Sequence, residues 1–100
     1  MNYHVLILSE AERDIENAFV WYELNQIGLG KKFFETIDKS INYIANRPYS
    51  SPEIFLGLRR LVIKKFPYGI YFKILVDLRE IQIIAVLHFQ RNLEILRKRV

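Results

Sequence analysis

The apolar positions change period along the chain. Tyr3 to Leu8 is a short, nearly continuous apolar run closed by Ser9, which predicts a buried first strand. From Ser9 the spacing becomes three and four: Ala11, Ile15, Ala18, Phe19 and Tyr22 fall on one stripe of a helix. Ser9-Glu10-Ala11-Glu12 matches a capping box, in which a hydroxyl and a carboxylate reciprocally satisfy free backbone N–H groups, so the helix is expected to start there and to end near Gly28. Gly28-Leu29-Gly30 allows a tight reversal. Phe33, Phe34, Ile37, Ile41, Ile44 and Ala45 then repeat at helical spacing until Pro48 stops them. Two helices joined this closely lie antiparallel.

Pro48-Tyr49-Ser50-Ser51-Pro52 is turn-rich and too short for an interdomain linker. Beyond it the residues become β-branched and aromatic, and three sequential antiparallel strands are predicted over Leu58 to Lys65, Tyr68 to Val76 and Ile81 to His88. Strict alternation places Ile70, Phe72 and Ile74 opposite Tyr71, Lys73 and Leu75, and Ile81, Ile83, Ala85 and Leu87 opposite Gln82, Ile84, Val86 and His88. Asn92 to Val100 reads as a short basic helix or a frayed tail, with Leu93 and Leu96 docking it. The expected fold is a two-layer α+β domain over residues 1–100, an antiparallel sheet packed on one face against an N-terminal helical hairpin, in the order β-α-α-β-β-β. Its other face is expected to stay open.

Charge sharpens this picture. The chain carries a net +4, and the two halves differ: residues 1–50 balance at −2, residues 51–100 at +6. A cationic sheet layer backed by the helices would present a field to a polyanion or to an acidic protein. Hydrophobic residues make up 51% of the chain, which excludes a disordered chain and places some apolar surface where a partner could bind. With no cysteine there is no disulfide framework, thiolate metal site or cysteine nucleophile, and a reducing compartment fits. The first apolar run lacks a basic leader and meets Glu10, Glu12, Arg13 and Asp14 at once, so neither a signal peptide nor a membrane span of about 20 residues is expected, and the cytoplasm is.

Particular residues add to the order of elements. The hairpin ends in Asn46-Arg47-Pro48; Gly57-Leu58-Arg59-Arg60-Leu61 comes next, then Phe66-Pro67-Tyr68-Gly69-Ile70-Tyr71-Phe72, then Ile81 through Val86-Leu87-His88 to Arg91. In this order and spacing the chain resembles the RelE/ParE superfamily of type II toxin–antitoxin toxins over nearly its whole length. The resemblance implies a first strand beside the last, a growth-inhibiting and plasmid-stabilising role, and a cognate antitoxin that covers sheet and hairpin surfaces. RelE-like members cut mRNA on the ribosome, using basic residues and usually a tyrosine near the C-terminus; ParE-like members have long hairpin helices and are associated with DNA gyrase. The long helices, the Val86-Leu87-His88 pattern and the lack of any tyrosine after His88 lean towards ParE. Many relatives have an arginine where this chain has Ala85, which weakens any transfer of arginine-dependent chemistry to that position.

The candidate residues are chosen by chemistry. Metal-independent RNA cleavage needs a base for the 2′-hydroxyl, a donor for the leaving oxygen and cations for the phosphorane. His88 is the titrating group in the basic half, and His88, Arg91 and Arg60 are the catalytic candidates if the ribonuclease reading holds. The bland alternative for His88 is a structural hydrogen bond at a strand end. Arg59, Arg60, Lys64, Lys65 and Arg91 are the candidates for contact with a target or nucleic acid, against the alternative of a solvated face, and Tyr68 or Tyr71 could stack on a base. Which of Arg59 and Arg60 faces solvent is open, since a one-residue shift exchanges them. Arg97-Lys98-Arg99 reads as tail. Trp21, off the buried stripe, together with Leu61 and Ile63 on a basic edge strand, is expected to meet an antitoxin. His4 has no companion at metal spacing, and neither a metal nor a cofactor is expected.

Overall fold

The computed structural model describes residues 3–91 and 93–100, so Met1, Asn2 and the Asn92 end of the expected C-terminal segment lie outside the described residues. Strand β1 (His4–Ile7) passes through Leu8 directly into α1 (Ser9–Asn25), and α2 (Leu29–Asn46) returns antiparallel to it. A single 3-10 turn at Pro48–Ser50 leads to β2 (Glu53–Phe55), β3 (Leu58–Val62), β4 (Tyr68–Leu75) and β5 (Glu80–His88), and α3 (Glu94–Arg99) ends the chain. The sheet order is β1-β5-β4-β3-β2. β1 pairs with β5 in parallel, and every other pair is antiparallel.

The capping box does not form. Leu8 is the residue at the helix entry, in extended conformation, and no side chain caps the first turn; the Glu12 N–H donates to Leu8 O at 3.0 Å. β1 delivers the chain to the helix already aligned, so Ser9 is drawn into the first turn and its hydroxyl is not placed as a cap. At the other end Glu23 takes over: its carboxylate accepts the N–H groups of Gly28 at 2.9 Å and Gly30 at 3.0 Å, closing the interhelical turn. Gly30 also lets the helices approach, because a Cβ there would stand 2.7 Å from Phe19 O.

Ala11, Ile15, Ala18 and Tyr22 of α1 and Phe33, Ile37 and Ile44 of α2 meet Ile70, Phe72, Ile81, Ile83 and Val86 of the sheet in the main core. Phe19 and Ile41 are only half-buried and Phe34 is exposed, so the stripe is narrower than its periodicity. Aromatic rings close the far end: Tyr22 lies 4.9 Å from Phe66 and 5.3 Å from Phe33, in the edge-on and tilted geometries that ring quadrupoles favour.

The opposite face of the sheet is not open. Leu58, Tyr71, Ile84, Ala85, Leu87 and Leu96 form a second core, into which α3 inserts a fully buried Leu96, while Leu93 remains at the surface. Strict alternation in β5 also fails, for an identifiable reason. Tyr71 pairs with Ala85 but Phe72 with Ile83, so Ile84 is an extra residue in β5, a bulge. It reverses the phase of the rest of the strand: Ile81, Ile83 and Val86 point to the helical hairpin, whereas Ile84, Ala85 and Leu87 point to α3. β2 is a further strand beyond the expected set. It pairs with β3 at Glu53 opposite Arg59 and Phe55 opposite Leu58, through a tight turn in which Leu56 (φ 50°) and Gly57 (φ 76°) are both left-handed.

A candidate cleft between the first helix and the last strand

Beyond Ile7 the strand β1 is finished, and β5 continues without a neighbour on that side. Side chains complete the ladder there. Asp14 Oδ2 accepts the Val86 N–H at 3.0 Å, and Arg99 Nη1 donates to Ile84 O at 3.3 Å. Asp14 and Arg99 face each other in a two-pronged ion pair, Nη1 to Oδ2 at 2.6 Å and Nη2 to Oδ1 at 3.1 Å. The hydrogen bond to Asp14 holds the Arg99 guanidinium above its ordinary pKa against the opposing effect of burial. Arg99 is therefore an anchor of α3 rather than part of a loose tail.

Asp14 also lies at the edge of a cleft of about 470 Å³ between α1 and the ends of β4 and β5. Asn17, Trp21 and Tyr22 line it from α1, Pro67 and Tyr68 from the entry to β4, and His88 and Arg91 from the end of β5. Trp21 is 59% exposed, with its ring edge-on to Tyr22 at 5.1 Å, so the sequence reading of an indole off the buried stripe is right. A turn brings Arg91 back beside the strand, its N–H donating to His88 O at 2.9 Å. Burial raises the Tyr68 phenol above its ordinary value; Tyr22 and Asp14 add to this and Arg91 opposes it, so Tyr68 enters the cleft as a neutral hydroxyl.

His88 packs edge-on against Tyr68 at 5.3 Å, and its Nδ1 accepts the Gln90 N–H at 3.0 Å. A neutral imidazole that accepts at Nδ1 carries its proton on Nε2. The ring then has a donor to offer at Nε2 and no free lone pair there. With Arg91 and the Tyr68 hydroxyl the cleft can hold a polar or anionic group between aromatic walls. For His88 to act as a general base the ring would first have to give up Gln90.

The other sequence candidates lie elsewhere. Arg60 stands opposite Tyr71 and packs its stem over Gly69, on the sheet face that carries α3, and Arg59 stands opposite Phe72 on the face that carries the hairpin. Arg59 is tied down, donating to Ser51 O at 2.7 Å with its guanidinium 5.1 Å from the Tyr49 ring centroid. His88 and Arg91 thus share a cleft from which Arg60 is separated by the sheet. Lys64 and Lys65 are exposed past the end of β3, Leu61 packs half-buried on the main core, and Ile63, 5% exposed, is part of that core and offers no free surface to a partner. Tyr71 is fully buried and unable to stack on a base. The cations do not make one plate: they are divided between two sheet faces, an edge, a cleft and a buried pair. Among the described residues no group of three or more His, Cys, Asp or Glu could hold a metal ion, and no helix is long and apolar enough to cross a membrane.

Asp14 and Asn17 were missed in the sequence. Their signal was available: with Trp21 they recur at spacings of three and four along the border of the buried stripe, which aligns them on one side of α1.

No family model and no curated protein matches this sequence. Solved structures do match its fold. The ParDE toxin–antitoxin system of P. aeruginosa aligns with a TM-score of 0.70 at 16% identity, over 86% of this chain and 95% of that one. The intact E. coli RelBE toxin–antitoxin complex aligns with a TM-score of 0.68 at 12% identity, over 89% and 99%. A mutant of the E. coli toxin RelE in the free state aligns with a TM-score of 0.73 at 12% identity, over 99% and 95%. The chain has the α+β fold of the ParE and RelE toxins.

Proposed function

We propose that this protein is the toxin of a type II toxin–antitoxin module, a growth inhibitor neutralised by a cognate antitoxin, and that it acts by binding DNA gyrase in the manner associated with ParE. The fold shared with structures described as ParDE and RelBE systems supports the toxin and antitoxin part of this reading. The choice of a binding mechanism over cleavage is carried by one observation, that the Nδ1 lone pair of His88 is held by the Gln90 N–H. Three further features agree with it. Arg60 lies across the sheet from His88 and Arg91, the hairpin helices span 17 and 18 residues, and no tyrosine follows His88. A base, a phosphorane cation and a leaving-group donor in one place is what cleavage without a metal requires, and of the expected trio the cleft gathers two.

The second reading is a ribosome-dependent mRNA endonuclease acting in the cytoplasm. It is favoured by the Trp21 and Tyr68 rings beside His88 and Arg91, a setting in which a base could stack near a cation.

Controlled induction of the chain in a bacterial host tests the toxin reading. Growth arrest that a co-expressed antitoxin relieves is the expected result. If growth is unaffected at an expression level confirmed by immunoblot, the toxin assignment is wrong.

A further inference from the structure

Leu24 is 83% and Ile27 91% exposed, the highest values among the large apolar residues described, and both sit at the tip of the helical hairpin. Val20, four residues before Leu24 and on the same outward side of α1, is 52% exposed. Nearer the start of the helix that side carries exposed Arg13, Glu16 and Asn17, so it is apolar only over the last two turns. Trp21, 59% exposed, flanks the patch. Apolar side chains gathered in water in this way mark a contact surface.

The turn beside them bonds much of its own backbone. The N–H groups of Gln26 and Leu29 donate to Tyr22 O and Gln26 O at 3.0 Å each, and Gly28 and Gly30 donate to the Glu23 carboxylate. Asn25 folds its side-chain amide back onto Trp21 O at 2.7 Å. Groups closed in this way leave water at little cost. Glu23 is the one carboxylate between Val20 and Phe34, and its charge faces those two glycine N–H groups. The other charges of the segment are Lys31 and Lys32, exposed in the first turn of α2, which holds no acidic residue. A helix dipole disfavours cations there. Among the described residues neither lysine forms an ion pair. The lysines gain nothing from their own helix, and the two aliphatic side chains gain nothing from the fold.

We infer that the hairpin tip docks on an anionic phospholipid surface. Leu24 and Ile27 enter the boundary between head groups and acyl chains, about 5–10 Å deep, with Trp21 at its level, and Lys31 and Lys32 meet the phosphates. The contact lies on a membrane and does not cross it. A second copy of the chain suits the tip less well, because a symmetric contact brings both lysine pairs together. The inference is independent of the toxin's target.

The test mixes the full chain with vesicles of phosphatidylcholine alone or of phosphatidylcholine with phosphatidylglycerol, and reads Trp21, the only tryptophan in the chain. Expected are stronger binding to the anionic vesicles, a blue shift of the Trp21 emission and its quenching by brominated acyl chains. Leu24→Ser with Ile27→Ser weakens binding by about tenfold or more. Lys31→Gln with Lys32→Gln, which leaves the apolar side chains in place, does so by about tenfold and reduces the salt dependence. Urea midpoints check that both variants fold, and should the serine pair not fold, the glutamine pair and the quenching decide. The inference is overturned if the anionic vesicles do not bind the chain, or if brominated lipid leaves Trp21 unquenched. Binding that survives the loss of Leu24 and Ile27 would overturn it too, since the other cations of a chain with net charge +4 would then explain the adhesion. Dimers that the serine pair abolishes, formed in place of vesicle binding, would assign the tip to a second copy instead.

Discussion

Asp14 on the first helix and Arg99 at the end of the last are 85 residues apart and 2.6 Å from each other, and the same Asp14 oxygen holds the Val86 N–H of β5. One carboxylate thus joins the hairpin, the sheet and α3. The side chains of the pair are 9% and 11% exposed, so removing one partner leaves a charge with little access to water. Asp14→Ala is expected to cost about 3 kcal/mol, the range for breaking a buried pair. Asp14→Asn, which keeps an acceptor for Val86, should cost less. Urea denaturation checks the order, and amide exchange at Val86 should accelerate more in the Ala variant than in the Asn one.

Leu96 is the apolar half of the same attachment, fully buried between α3 and the sheet. Leu96→Ala should destabilise by about 2–4 kcal/mol through lost burial and the cavity left behind. Exposed Leu93, substituted in the same way, should move the urea midpoint by far less.

Gly30→Ala tests the closeness of the hairpin. The new methyl would stand 2.7 Å from Phe19 O, a backbone atom that cannot swing aside, so the helices must separate. A loss of about 1–3 kcal/mol is expected, although alanine is the better helix former. A thermal midpoint at or above that of the unaltered chain would show that the helices do not approach this closely.

Burial holds the phenols of Tyr22 and Tyr68 above their ordinary value of 10.0. The folded state therefore keeps these protons at a pH where the unfolded chain releases them, and this favours unfolding as pH rises. Stability should be insensitive to these groups below about pH 9 and should fall from about pH 10 upward, through the raised folded values. Tyr68→Phe should flatten that fall, as measured by urea midpoints across the alkaline range.

The imidazole of His88 is expected to be the Nε2–H tautomer, because Nδ1 accepts from Gln90. Long-range proton–nitrogen NMR spectra above neutrality report this directly, with Nδ1 as the nitrogen lacking a proton. The opposite tautomer would leave Nε2 free to accept a proton in the cleft and would restore the ribonuclease reading.

Much of the fold was legible because its signals are local. The stripe from Ala11 to Tyr22, apart from half-buried Phe19, the stop at Pro48 and the alternation of Ile70 to Leu75 are each local, and they match the structure. What escaped depends on residues far apart in sequence. The bulge at Ile84 flips β5 only because β4 keeps its own register, and nothing in an apolar run announces an extra residue. β2 is three residues long and turns through Leu56-Gly57, outside the usual Asn-Gly signal. The covered face depends on Leu96 and Arg99, whose partners stand on elements much earlier in the chain. Of the candidate residues, His88, Arg91 and Trp21 line one cleft, although the sequence placed Trp21 with Leu61 and Ile63 and not with the other two. Their separation from Arg60 could not be read, because it depends on which sheet face each side chain takes.

The proposed binding of gyrase without RNA cleavage is best tested by adding the purified protein in parallel to a gyrase supercoiling reaction and to a translating ribosome reaction with labelled mRNA. Loss of supercoiling is expected as the protein approaches the concentration of gyrase, with mRNA left intact. Unchanged supercoiling together with translation-dependent mRNA cleavage that His88→Ala or Arg91→Ala abolishes would contradict it.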